Sequence, residues 1–214
     1  MKLRETLRED FRAWTDRTGT PIPGWYWLIL PLNAALVALV ILRLSQWFAS
    51  RRMRVLARLC YVTNMYLNGC DIRPEAEIGP GLFMGHPNGE CIGTVKVGRN
   101  AIIAPRVSIG ARGGWEEDGM PVIGDNVTIY LNSSILGPIT VGDDAVIGGH
   151  SLVLDDIPPG SLAAGVPARI IRQLTPEEIL KQRRPNAREM PLSVVPIPSP
   201  SQKLHSVLDS KQGD

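Results

Sequence analysis

From Ile123 to Val153 a branched aliphatic returns at every sixth residue: Ile123, Ile129, Ile135, Val141, Ile147 and Val153. Ile72, Ile78 and Met84 keep the same beat earlier, as do Val97, Ile103 and Ile109. A helix repeats near 3.6 residues and a strand near 2, so this period belongs to neither alone. It fits a short strand and a corner, repeated, with one aliphatic per side pointing inward. Gly124-Asp125-Asn126, Gly142-Asp143-Asp144 and Gly148-Gly149 fall where the backbone has to turn. The expected fold is mainly β: a left-handed parallel β-helix of hexapeptide repeats, with about 4.8 Å between successive coils. A helical region is expected before it and a disordered tail after it.

The 214 residues divide into a helical region over 1–68, the coil over 69–172, a short helix over 173–189 and a Pro-rich tail over 190–214. A net charge of +2 leaves no broad basic field, and the few aromatics lie mostly near the N-terminus, so no nucleic-acid partner is expected. Cys60, Cys70 and Cys91 form no CxxC pair and read as free thiols in a reducing, cytoplasmic compartment. The mixed charges of 1–17 do not resemble a cleavable leader.

Leu3, Leu7, Phe11 and Trp14 recur on one face of an expected first helix. Residues 25–42 are almost wholly apolar, with Trp25 and Trp27 at one end and Arg51, Arg52, Arg54 and Arg58 beyond the other. That pattern is read first as a helix buried in a helical cap or between subunits, with peripheral membrane contact as the alternative; Pro31 and Asn33 argue against a span. Residues 56–67 read as an amphipathic helix leading into the coil. Thr175 is placed to cap a helix opening at Pro176, with Glu177 and Glu178 in its first turn. The prolines after Arg184 cannot build a core, so the coil should survive removal of 190–214.

The beat breaks twice. Ile109 and Ile123 are fourteen residues apart, read as two sides plus two residues. The polar, Gly-rich stretch between them is expected to loop out, as binding loops on rigid scaffolds do. The second break follows Met84, just after His86. Asp71 precedes His86 by fifteen residues, which places the two close together on adjacent coils. A carboxylate there could hold one ring nitrogen and leave the other as a general base. On spacing alone, a lone corner histidine is more often structural than catalytic. His150 is read as a tolerated corner residue or a coenzyme contact. A three-histidine metal site would need more than His86 and His150, because His205 lies in the tail; no metal is expected.

The stretch from Asp71-Ile72-Arg73-Pro74 through Ile78-Gly79-Pro80-Gly81 to Gly85-His86 resembles the entry coil of serine acetyltransferases. That family reads D-I-H-P-x-A-x-I-G-x-G and ends in D-H. Asp156-Ile157-Pro158-Pro159-Gly160-Ser161 and Ala164-Gly165-Val166-Pro167-Ala168-Arg169 resemble its closing segment. The likeness covers about Tyr61 to Arg172. It implies a homotrimer that moves an acetyl group from acetyl-CoA to a hydroxyl, with His86 as base and Asp71 orienting it. It places the coenzyme along Gly149, Ala164, Gly165, Pro167 and Arg169.

The departures concern the acceptor. Gly85 stands where the family has a serine-holding Asp, and Gly119-Met120 stand where its Arg-His pair would be. The Glu of its G-E-T stretch is missing at Ile92-Gly93-Thr94, and Gly110-Ala111-Arg112-Gly113 replaces its Gly-rich loop start. Gly85 and Arg112 are therefore the candidate acceptor positions, and only Arg112 in that loop could pair with a carboxylate. The expected function is an O-acetyltransferase acting on a sugar, glycan or other alcohol, with serine as the alternative acceptor.

Overall fold

Each coil of the computed structural model passes in turn through three parallel sheets. The structure describes residues 2–20, 33–113 and 119–183. The first coil holds β1 (Asp71–Ile72) and β2 (Glu77–Ile78), then Phe83, bridged to the coil above. The second holds β3 (Cys91–Ile92), β4 (Lys96–Val97) and β5 (Ile102–Ile103). The third holds β6 (Ser108–Gly110), β7 (Val122–Ile123) and β8 (Thr128–Ile129). The fourth holds β9 (Ser134–Leu136), β10 (Thr140–Val141) and β11 (Val146–Ile147). The last opens with β12 (Leu152–Val153) and closes with β13 (Ser161–Gly165), against which β14 (Ala168–Gln173) runs antiparallel. The sheets are β1-β3-β6-β9-β12, β2-β4-β7-β10 and β5-β8-β11-β13-β14.

The expected aliphatics form the core. Ile72, Ile78, Met84, Val97, Ile103 and Ile109 are buried, and so is the run from Ile123 to Val153. At the corner between the second and third sheets, glycines stack directly. A Cβ at Gly79 would lie 2.5 Å from the Gly98 carbonyl oxygen, and one at Gly98 equally close to that of Gly124. Asn100, Asn126 and Asp144 then take the left-handed turn, with φ of 56°, 57° and 59°, which Asn and Asp tolerate best after glycine. Aspartates bind one coil to the next: Asp125 Oδ1 accepts the Arg99 N–H at 2.7 Å, and Asp143 Oδ1 accepts that of Asp125 at 2.8 Å.

Pairing corrects the count across the long insert. β6 belongs to the first sheet and β7 to the second, so a single side elapses between Ile109 and Ile123, not two. The loop is correspondingly larger than its expected two extra residues. Its residues 114–118 lie outside the described residues. The missing Glu at Ile92-Gly93-Thr94 has a counterpart in the register. Asp71 pairs with Cys91 but Glu77 with Lys96, so the second coil spends one residue fewer on this side than the first does.

α1 (Leu3–Thr18), α2 (Ala34–Ser50) and α3 (Arg54–Asn68) precede the coil. Asn33 caps α2 by accepting the Leu36 N–H. Residues 25–32 lie outside the described residues, as do Trp25 and Trp27. The rest of the apolar segment is core: Ala38, Leu39 and Leu42 join the coil's own cluster. Among the described residues no helix is long and apolar enough to cross a membrane. The membrane contact offered as the alternative for 25–42 is thus replaced, over 34–42, by packing on the coil.

α1 departs from expectation. Its buried residues are Thr6, Asp10, Trp14 and Arg17. Of the expected Leu3, Leu7, Phe11 and Trp14, Trp14 is buried and Phe11 packs half-buried on the core, while Leu3 and Leu7 are only half-buried. The cause lies in α2. Arg43, fully buried, spends all five N–H groups: two on Asp10 (2.7 and 3.1 Å), one on Gln46, and one each on the Ile78 and Gly79 carbonyls (2.7 Å). Asp10 Oδ1 also accepts the Gly81 and Leu82 N–H groups at 2.8 and 3.0 Å. An ion pair satisfied this fully rotates α1 so that a carboxylate faces inward.

α4 (Pro176–Arg183) opens on a reciprocal cap, Glu178 N–H to Thr175 Oγ1 and Thr175 N–H to Glu178 Oε2. Its far end grips the coil, where Arg183 donates twice to Asp144 and Gln182 donates to the Asn126 carbonyl. Residues 184–214, and so the expected tail and His205, lie outside the described residues. Hydrogen bonds from Arg172, with help from the Thr175 N–H, hold the Glu178 carboxyl down at about 2. Its folded pKa lies below the ordinary 4.5, so the stability it lends is complete above 4.5 and fades as pH falls toward 2. Hydrogen exchange in α4 should therefore accelerate across that window while coil amides stay protected.

Candidate active site

The corner that closes each coil, between the third sheet and the first, gathers most of the candidate residues. Asp71 begins β1 at this corner, and His86 follows Phe83 at the same corner one turn later. The two thus open and close a single coil. The Asp71 carboxylate is half-buried and held from α3: the Tyr61 hydroxyl donates to its Oδ1 at 2.6 Å. Burial, then this bond, raises the Tyr61 pKa, so the phenol stays a donor. Arg58 lies over the Tyr61 ring, 4.6 Å from its centroid. Cys91 stacks on Asp71 in register, its Sγ 4.0 Å from Oδ2. Burial and the Asp71 charge raise that thiol's pKa, which makes it a poor nucleophile.

His86 is exposed, and among the described residues it makes no hydrogen bond or ion pair. The expected Asp71–His86 hydrogen bond is therefore not formed in this single chain, where the carboxylate is engaged by Tyr61 instead. Catalytic hydrogen bonds are often long or misaligned without ligand and tighten in the complex.

The candidate coenzyme residues lie on the same edge, three to four coils on, about 14–19 Å at about 4.8 Å per coil. Gly149 is exposed, and a Cβ there would come 3.3 Å from the Leu131 carbonyl oxygen. Ala164 and Gly165 end β13 and pair with Arg169 and Ala168 across the hairpin. The Gly165 N–H donates to Ser151 Oγ at 3.2 Å. Pro167 follows a cis peptide and is exposed, and Arg169 reaches Asp155 at 3.0 Å. Tyr130, Leu131 and Val166 add exposed apolar surface beside them. Sequence reading passed these three over, although Tyr130 and Leu131 immediately precede the left-handed Asn132 as Gly149 precedes the left-handed His150.

His150 takes the left-handed position itself, with φ 57°, and its Nε2 lies 3.2 Å from Asn132 Nδ2 in the coil below. A corner-residue role accounts for it. Among the described residues no three His, Cys, Asp or Glu side chains cluster as metal ligands would.

The acceptor positions are not brought together. Arg112 lies at the corner between the first and second sheets, over Gly137, on a different edge of the coil from His86. Met120 packs inward against the core, and a Cβ at Gly93 would lie 2.5 Å from its Cε. Gly85 lies against Phe83, whose Cζ would be 3.2 Å from a Cβ at that position. Tyr61 and Glu90 were not singled out from sequence. Glu90 is buried beside Cys70, accepts the Asn88 N–H at 3.2 Å, and has its pKa raised by burial. Neither carries a motif: only the α3 docking brings Tyr61 to Asp71.

Residues 120–155 match the model of the bacterial transferase hexapeptide family (six repeats). A serine acetyltransferase of Helicobacter pylori is 36% identical over 146 residues, which cover 68% of this chain and 85% of that one. One of Mycobacterium tuberculosis is 37% identical over 135 residues, 63% of this chain and 59% of its own length. Serine acetyltransferase of Neisseria gonorrhoeae in complex with serine superposes with a TM-score of 0.69 at 32% identity, covering 78% of this chain and 68% of that one. That of Brucella abortus in complex with coenzyme A gives 0.71 at 31% identity, with 80% and 68% covered.

Proposed function

The chain belongs to the serine acetyltransferase family, and on that footing we propose that it transfers the acetyl group of acetyl-CoA to the hydroxyl of serine. The sugar or glycan acceptor expected from the missing recognition groups finds no support, since the relatives named above are serine acetyltransferases. What carries the reading is the single edge that bears His86 and Asp71 at one end and Gly149, Ala164 and Gly165 at the other. An extended pantetheine arm has that reach, so the thioester would arrive beside the imidazole with the nucleotide at the hairpin.

In this mechanism His86 takes the hydroxyl proton as the serine oxygen attacks the thioester carbonyl. A backbone N–H at the corner steadies the oxyanion. The C–S bond then breaks, and the coenzyme A thiolate recovers the proton from the imidazolium. Asp71 favours the charged ring, and Tyr61 fixes Asp71. The hexapeptide fold of the family is the left-handed β-helix, and a homotrimer completes the site. Arg112, on another edge, can meet His86 only across an interface between copies.

Purified protein is incubated with acetyl-CoA and a panel of L-serine, simple sugars and lipid-linked glycans, and free thiol is followed. Release that depends on L-serine is expected; release with a sugar and none with serine would overturn the assignment. Light scattering should give three chains. Tyr61→Phe should lower turnover roughly tenfold, the worth of a hydrogen bond to a charged group, while thermal unfolding changes little.

A further inference from the structure

Two buried arginines face the first coil, and they differ. Arg43 has every N–H satisfied. Arg17, in the last turn of α1, is only 6% exposed, its Nε finds no partner, and among the described residues no carboxylate lies within ion-pair distance of it. Burial lowers its pKa to about 10, against an opposing pull from the Asp16 charge. A buried cation normally carries a matching anion, and one without it marks a place where an anion is missing.

Its position says which anion. The guanidinium lies over the Phe83 ring, 5.6 Å from the centroid. Phe83 also lies against Gly85, where any Cβ would crowd Cζ at 3.2 Å. One ring thus touches both the Arg17 guanidinium and Gly85, the residue before His86. Glycine at 85 leaves room for the ring against which the guanidinium lies. The long loop offers no such group at Gly119-Met120, since Met120 is packed inward.

We propose that Arg17 is the specificity-determining residue for the acceptor, pairing with the carboxylate of an amino acid whose hydroxyl lies at His86. This rests on the serine reading above and adds to it the source of the positive charge. Burial against Phe83 restricts the Arg17 side chain, so a bidentate pair forms with little further loss of side-chain freedom.

The test compares L-serine with serinamide, which keeps the hydroxyl and amine but lacks the negative charge. In the full chain, Arg17→Gln should raise KM for L-serine roughly ten- to a hundredfold while KM for serinamide is unchanged. Arg17→Lys should narrow the preference for serine over serinamide without abolishing it, and it decides the matter if Arg17→Gln does not fold. Equal losses on both acceptors, or an unchanged KM for serine, would overturn the role of Arg17 and leave the serine reading standing. A wild-type protein inactive on serine would overturn both.

Discussion

His86→Ala is expected to lower acetyl transfer by about 10²–10⁴-fold, the usual cost of removing a general base, while the coil and coenzyme A binding are unchanged. The separation follows from position. His86 is exposed and makes no hydrogen bond among the described residues, so its removal leaves no buried group unpaired. The candidate coenzyme residues lie three to four coils away. Thiol release and a coenzyme A titration, run on one preparation, read the two properties independently. Turnover equal to wild type would remove His86 from the mechanism, and a parallel loss of coenzyme binding would place it in the groove instead.

The largest effect on stability is expected from Arg43→Met. Breaking a buried pair on one side typically costs about 3–5 kcal/mol, because the remaining charge has no water to return to. Here the remaining Asp10 has 0% side-chain exposure. Adding Asp10→Leu should restore only part of the loss. The second change removes the stranded carboxylate, but the Gly81 and Leu82 N–H groups and the Ile78 and Gly79 carbonyls are still unpaired. Denaturant unfolding of the two variants checks the ordering. A double variant as stable as wild type would mean that water or repacking satisfies those groups.

The coil was legible because each side carries one inward residue, so Ile123 to Val153 could be read without any long-range knowledge. The insert after Ile109 was misread because a period cannot tell which side absorbs extra residues, and only strand pairing shows that β7 follows β6 directly. The face of α1 was partly misread for a related reason. Asp10 looks like a solvent residue until Arg43, thirty-three positions on, arrives opposite it. In the site, spacing placed Asp71 and His86 at the same corner of one coil but not the hydrogen bond between them, since Tyr61 holds the carboxylate. Tyr61 and Arg17 carry no motif and acquire meaning only from what the helices place beside them. The acceptor was inferred by subtraction from Gly85 and Met120, and subtraction cannot see a replacement supplied from elsewhere in the chain.

The helical cap has a consequence for assembly. A stack of parallel coils ends in open strand edges, and such an edge is a template on which another chain can continue the ladder. At the first coil that template is already filled by side chains. Arg43 occupies the Ile78 and Gly79 carbonyls, Gln46 the Ala76 carbonyl at 2.8 Å, and Asp10 the Gly81 and Leu82 N–H groups. These three residues imitate the hydrogen bonding of a coil that is not there. At the other end of the third sheet β14 runs the opposite way, so a parallel strand finds no matching register beyond it. Continuation of the ladder by a parallel strand is thereby blocked along residues 76–82 of the first coil and beyond β14 of the third sheet.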